Sequence, residues 1–166
     1  VANAFAIGAG ARVRLAQYHG IFSVEGSYKS AGAFDTSVSV NQESARQFEI
    51  RALYGTNFKI LDMDAFADFE LGQRFIAGAR PSETPVDITL GLHITPQTMI
   101  LAQSFNVIAN GDSKPPYTYY RSHKIQLSIV QHLYEDLSVQ IGGFVSPAGQ
   151  STLKEQGLSF ALWDSL

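Results

Sequence analysis

The chain has 166 residues, a formal net charge of −3, 45% hydrophobic residues and only 16% charged ones, where a soluble domain averages roughly 25% charged. This length suits a single domain. The mild acidity and the lack of any Lys/Arg-rich run exclude an electrostatic footprint for nucleic acid, and the absence of cysteine excludes disulfides and thiolate chemistry.

Alternation of apolar with small or polar residues, the period of a pleated strand, recurs along most of the chain. A first strand is predicted from Phe5 to Gln17, with Phe5, Ile7, Ala9, Ala11, Val13 and Leu15 on one face. The tight turn Tyr18-His19-Gly20 leads to a second strand, Ile21 to Ser30. A long polar loop, Ala31 to Arg46, follows; inside it Phe34, Thr36, Val38 and Val40 alternate, as expected of a hairpin extension. Strands three and four, Gln47 to Ile60 and Met63 to Phe75, flank the turn Leu61-Asp62. After the loop Ala77 to Pro85 come strands five and six, Val86 to Thr95 and Thr98 to Ala109, joined at Pro96-Gln97. The loop Asn110 to Tyr117 precedes strands seven and eight, Thr118 to Leu133 and Leu137 to Ser146, joined at Glu135-Asp136. The loop Pro147 to Glu155 and a ninth strand, Gln156 to Trp163, complete the layout.

Short turns and long loops alternate strictly, so all the turns gather at one end of the sheet and all the loops at the other. Outer-membrane barrels have this asymmetry, with short periplasmic turns and longer extracellular loops. Each segment also approaches the roughly 9 to 11 residues that a tilted strand needs to cross hydrocarbon. No run nears the roughly 18 consecutive apolar residues of a spanning helix. The expectation is an all-β, antiparallel, up-and-down transmembrane barrel of about eight to ten strands, formed by residues 1–166 as one domain. An even count calls for one further strand upstream, or for a different assignment of one of the nine. The opening Val1-Ala2-Asn3 has neither an initiator Met nor a leader pattern, which predicts a removed signal or a fragment.

The two faces are chemically distinct. Val86, Ile88, Leu90, Leu92 and Ile94, with Val139 and Ile141, fall on a charge-free face that is predicted to meet lipid. The opposite face collects Arg12, Arg14, Glu25, Glu49, Arg51, Lys59, Asp68, Glu70, Arg74, Asp87, His93 and Lys124 among Gly, Ser, Thr and Asn. Its mixed sign and few lysines suit an enclosed lumen, although an ordinary solvated sheet face also carries paired charges. The turn positions predict Arg12 opposite Glu25, Glu49 opposite Arg74, and Arg51 diagonal to Glu70. Aromatics cluster toward both ends: Tyr18, Phe22, Phe58 and Tyr134 near the turns, and Tyr28, Phe75, Tyr117, Tyr119 and Tyr120 near the loops. Interfacial girdles and simple strand preference both produce this distribution. Arg121 and His123 fall on the outward face, where they would meet anionic headgroups or mark a local register shift.

No catalytic constellation emerges. His19, His93, His123 and His132 lack metal-ligand spacing, and the adjacent Ser122 and His123 point to opposite sides of one strand, so they cannot work as nucleophile and base. Gly8-Ala9-Gly10 lacks the third glycine and following helix of a dinucleotide motif. No enzyme activity, metal or cofactor is expected.

The segment Tyr119-Tyr120-Arg121-Ser122-His123-Lys124, then Gly142-Gly143-Phe144, Gly149-Gln150, and Lys154-Glu155-Gln156-Gly157-Leu158 with Trp163, resembles the closing hairpins of Gram-negative outer-membrane barrels. More narrowly, it is similar to small alphaproteobacterial barrels that are accessory proteins of cellulose biosynthesis. Those barrels usually end on an aromatic residue; here Leu158, Phe160 and Leu162 keep the alternation but Asp164 breaks it and Leu166 is last. The resemblance implies a non-enzymatic outer-membrane protein, a narrow porin-like channel or an envelope accessory linked to exopolysaccharide export. Its implied partners are outer-membrane lipid and lipopolysaccharide, with a protein or polysaccharide at the long loops. A structural or adhesive barrel and a soluble lipocalin-like carrier are the alternatives.

Overall fold

The computed structural model describes residues 8–29, 46–110, 118–134 and 137–164. It is all-β. The strands are β1 (Gly8–Gln17), β2 (Ile21–Lys29), β3 (Gln47–Ile60), β4 (Met63–Ile76), β5 (Ser82–Thr95), β6 (Thr98–Asn110), β7 (Arg121–Tyr134), β8 (Leu137–Gln150) and β9 (Gln156–Asp164). They form one nine-stranded sheet in chain order, each strand antiparallel to the next. Among the described residues no helix is long and apolar enough to cross a membrane.

Local chemistry fixes the hairpins. Leu61 and Asp62 both have positive φ, 49° and 64°, the mirror-image turn whose twist matches that of the flanking strands. At Pro96-Gln97 the Thr95 hydroxyl accepts the amides of Gln97 at 3.2 Å and Thr98 at 3.0 Å, which ties off the chain reversal that proline's fixed φ begins. His19, at φ 50°, turns the first hairpin, and its carbonyl accepts the Thr56 hydroxyl of β3 at 2.6 Å. The expected turn Glu135-Asp136 lies outside the described residues, as do Phe5 to Ile7, the alternating Phe34, Thr36, Val38 and Val40, and most of the Asn110 to Tyr117 loop.

Among the described residues three boundaries differ from the sequence reading by more than one residue. Strand β5 begins at Ser82 rather than Val86, because Pro85 sits where pairing with β4 lapses between Leu71↔Val86 and Arg74↔Glu83, so its missing N–H breaks no ladder bond there. Strand β8 continues through Pro147 to Gln150, which shortens the expected loop. Strand β7 starts at Arg121 rather than Thr118.

The larger correction concerns closure. Among the described residues the sheet has two ends, β1 and β9, and does not close into a barrel. With nine strands alternating in direction, β1 and β9 run the same way, so the antiparallel ladder joining every other neighbour cannot join these two. The sheet nevertheless curls. A cavity of about 850 Å³ is lined jointly by Arg12 of β1, Leu53 of β3, Leu101 of β6 and Trp163 of β9. Inside the curl, toward the turns, Met99, Leu101 and Val130 form a small buried cluster with Phe66 packed against it. Gly91 makes room for it, since a Cβ there would stand 2.0 Å from the Phe66 ring.

Candidate functional site: the charged inner face

Pairing places the twelve charged residues expected on the polar face, Lys59 among them through Lys59↔Asp64, on one face of the sheet. The register sets Arg12 opposite Glu25 and Glu49 opposite Arg74, and Arg51 opposite Gly72, two positions from Glu70. These are the pairings that the turn positions predict. Asp68 and Asp87 share the face through Asp68↔Thr89 and Glu70↔Asp87, Lys124 through Phe105↔Lys124, His93 through His93↔Met99 and Arg14 through Arg14↔Ser23.

The structure concentrates these groups unevenly. Toward the loop end, Arg51 sits at the centre of a three-strand junction. Its guanidinium bonds Glu49, donates to Glu70 at 2.6 Å and reaches Asp87 on β5 at 2.8 Å. Gly72 lets it lie flat, because a Cβ there would come within 3.0 Å of the Arg51 side chain. Arg74 bridges Glu49 at 2.5 Å and Glu83 at 2.6 Å. Arg80 lies 3.6 Å from Glu83, and the Tyr120 hydroxyl donates to the same carboxylate. Burial and the adjacent Glu83 charge push the Tyr120 phenol above its ordinary value, which keeps it a donor.

Glu49 and Glu83 are only 7% and 3% exposed. Carboxylates so enclosed require compensation, and three arginines supply it, from β3, β4 and the segment between β4 and β5. Lys124 pairs instead with Glu155 at 3.2 Å and stands over the Phe144 ring at 4.6 Å. Arg12 and Glu25 pair at 2.8 Å with the arginine side chain 55% exposed. His93 lies exposed near the turn end, away from the network.

Glu83, Arg80 and Tyr120 were not legible as site residues. Pro85 made residues 77–85 read as a loop, and the alternation on each side does not show which distant residues meet. The only sequence signal was that Glu83 keeps the parity of Asp87 in strand β5.

The outer face has the reverse character. Ile88, Leu90, Ile94 and Ile141 are exposed, and Val86, Leu92 and Val139 are partly so. Leu158, Phe160 and Leu162 on β9 are 74%, 70% and 74% exposed. Toward the loop end this apolar surface gives way to polar groups: Gln73 donates to Asn110 at 3.2 Å, Thr84 to Gln73 at 3.1 Å, and His123 Nδ1 lies 2.5 Å from the Asn106 amide oxygen. Arg121 stacks on the Tyr119 ring at 5.4 Å. Phe48 and Phe75, also exposed near that end, stack at 6.4 Å. Tyr120, expected in the outer girdle, turns inward to Glu83 instead.

Among the described residues no group of three or more His, Asp or Glu side chains is arranged to hold a metal ion. The site is a charge-compensated belt across a curled sheet. Comparison of the chain with protein-family models, with curated proteins and with solved structures gives no match.

Proposed function

We propose that the protein is a small β-barrel of the outer membrane whose inner face is largely filled by its own side chains. The observation that carries this reading is the inverted polarity of the sheet. Large aliphatic and aromatic side chains stand exposed along the outer face, while Glu49 and Glu83 are buried within. Soluble monomers rarely expose apolar patches above a few hundred Å², whereas hydrocarbon stabilises such a face. Strand length supports it too. Strands β3 to β8 have 13 or 14 residues, where globular strands average about 5 to 6. The polar groups above the apolar surface, with Tyr119 and Arg121 among them, fit an interface with headgroups and lipopolysaccharide.

Function then follows from the lumen. A belt of arginine–carboxylate bridges fills the interior over β3 to β5, in keeping with the filled interiors of barrels of about eight strands. The reading is a non-enzymatic envelope protein, at most a narrow channel for small solutes, supporting export of a surface polysaccharide through its loop end. The polysaccharide rests on the resemblance of the final hairpins. The same occlusion favours, as a second reading, a scaffold that binds a partner at its loops. The charged interior counts against a lipocalin-like carrier of apolar ligands.

Membrane extraction tests the class. The protein is expected to need detergent for solubility and to migrate faster on gels before boiling than after; recovery as a buffer-soluble monomer overturns the proposal. Planar-bilayer recording of the purified protein separates channel from scaffold: discrete small conductance steps support the first and silence the second.

A further inference from the structure

Both edges of the sheet, β1 and β9, are unpaired among the described residues. Strands β1 and β9 run the same way, so a single strand antiparallel to both satisfies both rows of edge N–H and C=O groups. Beside β1 lie two open cavities, about 620 Å³ around Gly8, Gly10 and Arg12 and about 850 Å³ around Arg12 and Gln17, the latter reaching Trp163 of β9. They meet at Arg12. Open volume thus borders β1 on the inner side at both of its ends, with Arg12 lining both cavities.

The chemistry of the occupant can be read from its neighbours. On the outer side the seam is flanked by Val13 and Leu15, both 59% exposed, and by Phe160 and Leu162. On the inner side Arg14, opposite Ser23, has no carboxylate partner among the described residues, and neither has Lys29, opposite Gly8. Glu25 is already held by Arg12. The Ser159 hydroxyl on β9 is buried without a hydrogen-bond partner.

We propose that the β1/β9 seam takes up one extended peptide segment of about nine residues, antiparallel to both edges, with apolar side chains outward and carboxylates inward toward Arg14 and Lys29. The inference rests on the membrane reading, since hydrocarbon offers no water to edge groups.

Amide hydrogen exchange on the 166-residue chain in detergent micelles tests it with a synthetic peptide that alternates Leu or Val with Ser, Gly and two inward Glu. Exchange should slow at least about tenfold in β1 and in β9 together. A peptide with Lys in place of the two Glu should protect less, and Arg14→Glu should invert that preference. Three results overturn the proposal: edges already protected in the chain alone, through direct β1–β9 contact or a second copy seen as a dimer by mass; protection of one edge only; or equal protection by both peptides. Should the protein dissolve without detergent, the membrane reading fails on that ground alone, and the same exchange experiment in buffer still decides the seam.

Discussion

The loop half and the turn half of the inner face solve the same problem differently. Toward the loops the interior is filled by ions, with Arg51 and Arg74 joining Glu49, Glu70, Glu83 and Asp87. Toward the turns it is filled by Met99, Leu101, Val130 and Phe66, backed by amides such as Gln140, which donates to Ser128 at 2.9 Å and accepts from Trp163 at 3.0 Å. An ionic filling fixes directions, because each bridge has one good geometry. The apolar filling fixes only volume. The half beneath the loops is therefore held in one arrangement by its bridges, and the turn half is the less directed of the two.

The strongest way to break this contrast is Arg51→Met, which strips three carboxylates of their shared partner. Removing one member of a buried ion pair costs roughly 3 to 5 kcal/mol, and Glu49, at 7% exposure, cannot recover its hydration. Unfolding in urea should show a loss in that range, and adding Glu70→Gln should restore part of it; an unchanged midpoint would mean the bridges are ornamental. On the outer face, Leu90→Arg should destabilise insertion into lipid by roughly 2 to 4 kcal/mol if Leu90 sits near the midplane. Refolding into vesicles measures it, and no change would place Leu90 outside hydrocarbon.

Leu101→Ala probes the turn half. Leu101 is 1% exposed but also borders the open cavity, so the site can relax and the loss should fall at the low end of the Leu→Ala range, about 2 kcal/mol. A loss above that of Arg51→Met would reverse the ranking of the two halves. The smallest effect is expected at Arg12→Ala, whose pair with Glu25 is largely solvent-exposed. Such pairs contribute about 0 to 1 kcal/mol, and thermal melts in moderate salt should barely move. A large loss there would mean that β1 is enclosed in solution.

Much of the architecture was legible in the chain. The period of two is a property of each strand alone, and hairpins with turns of two or three residues fix register, so Arg12 with Glu25 and Glu49 with Arg74 followed from counting. Which face is apolar followed in the same way. What counting could not supply was the reach of Arg51 across Gly72 to Asp87, or the gathering of Arg80, Glu83 and Tyr120 at one corner. The Arg51–Asp87 and Tyr120–Glu83 contacts span 36 and 37 positions of sequence, and Pro85 disguised the start of β5.

The amino-acid sequence by itself determined the strands, their partners and the polarity of the two faces, because each depends only on residues a few positions or one turn away. Tertiary structure alone decided how far the sheet curls, where its charges converge and that β1 and β9 stay unpaired among the described residues. Curvature accumulates from the twist of every strand pair, and closure depends on the relative direction of two strands more than a hundred residues distant.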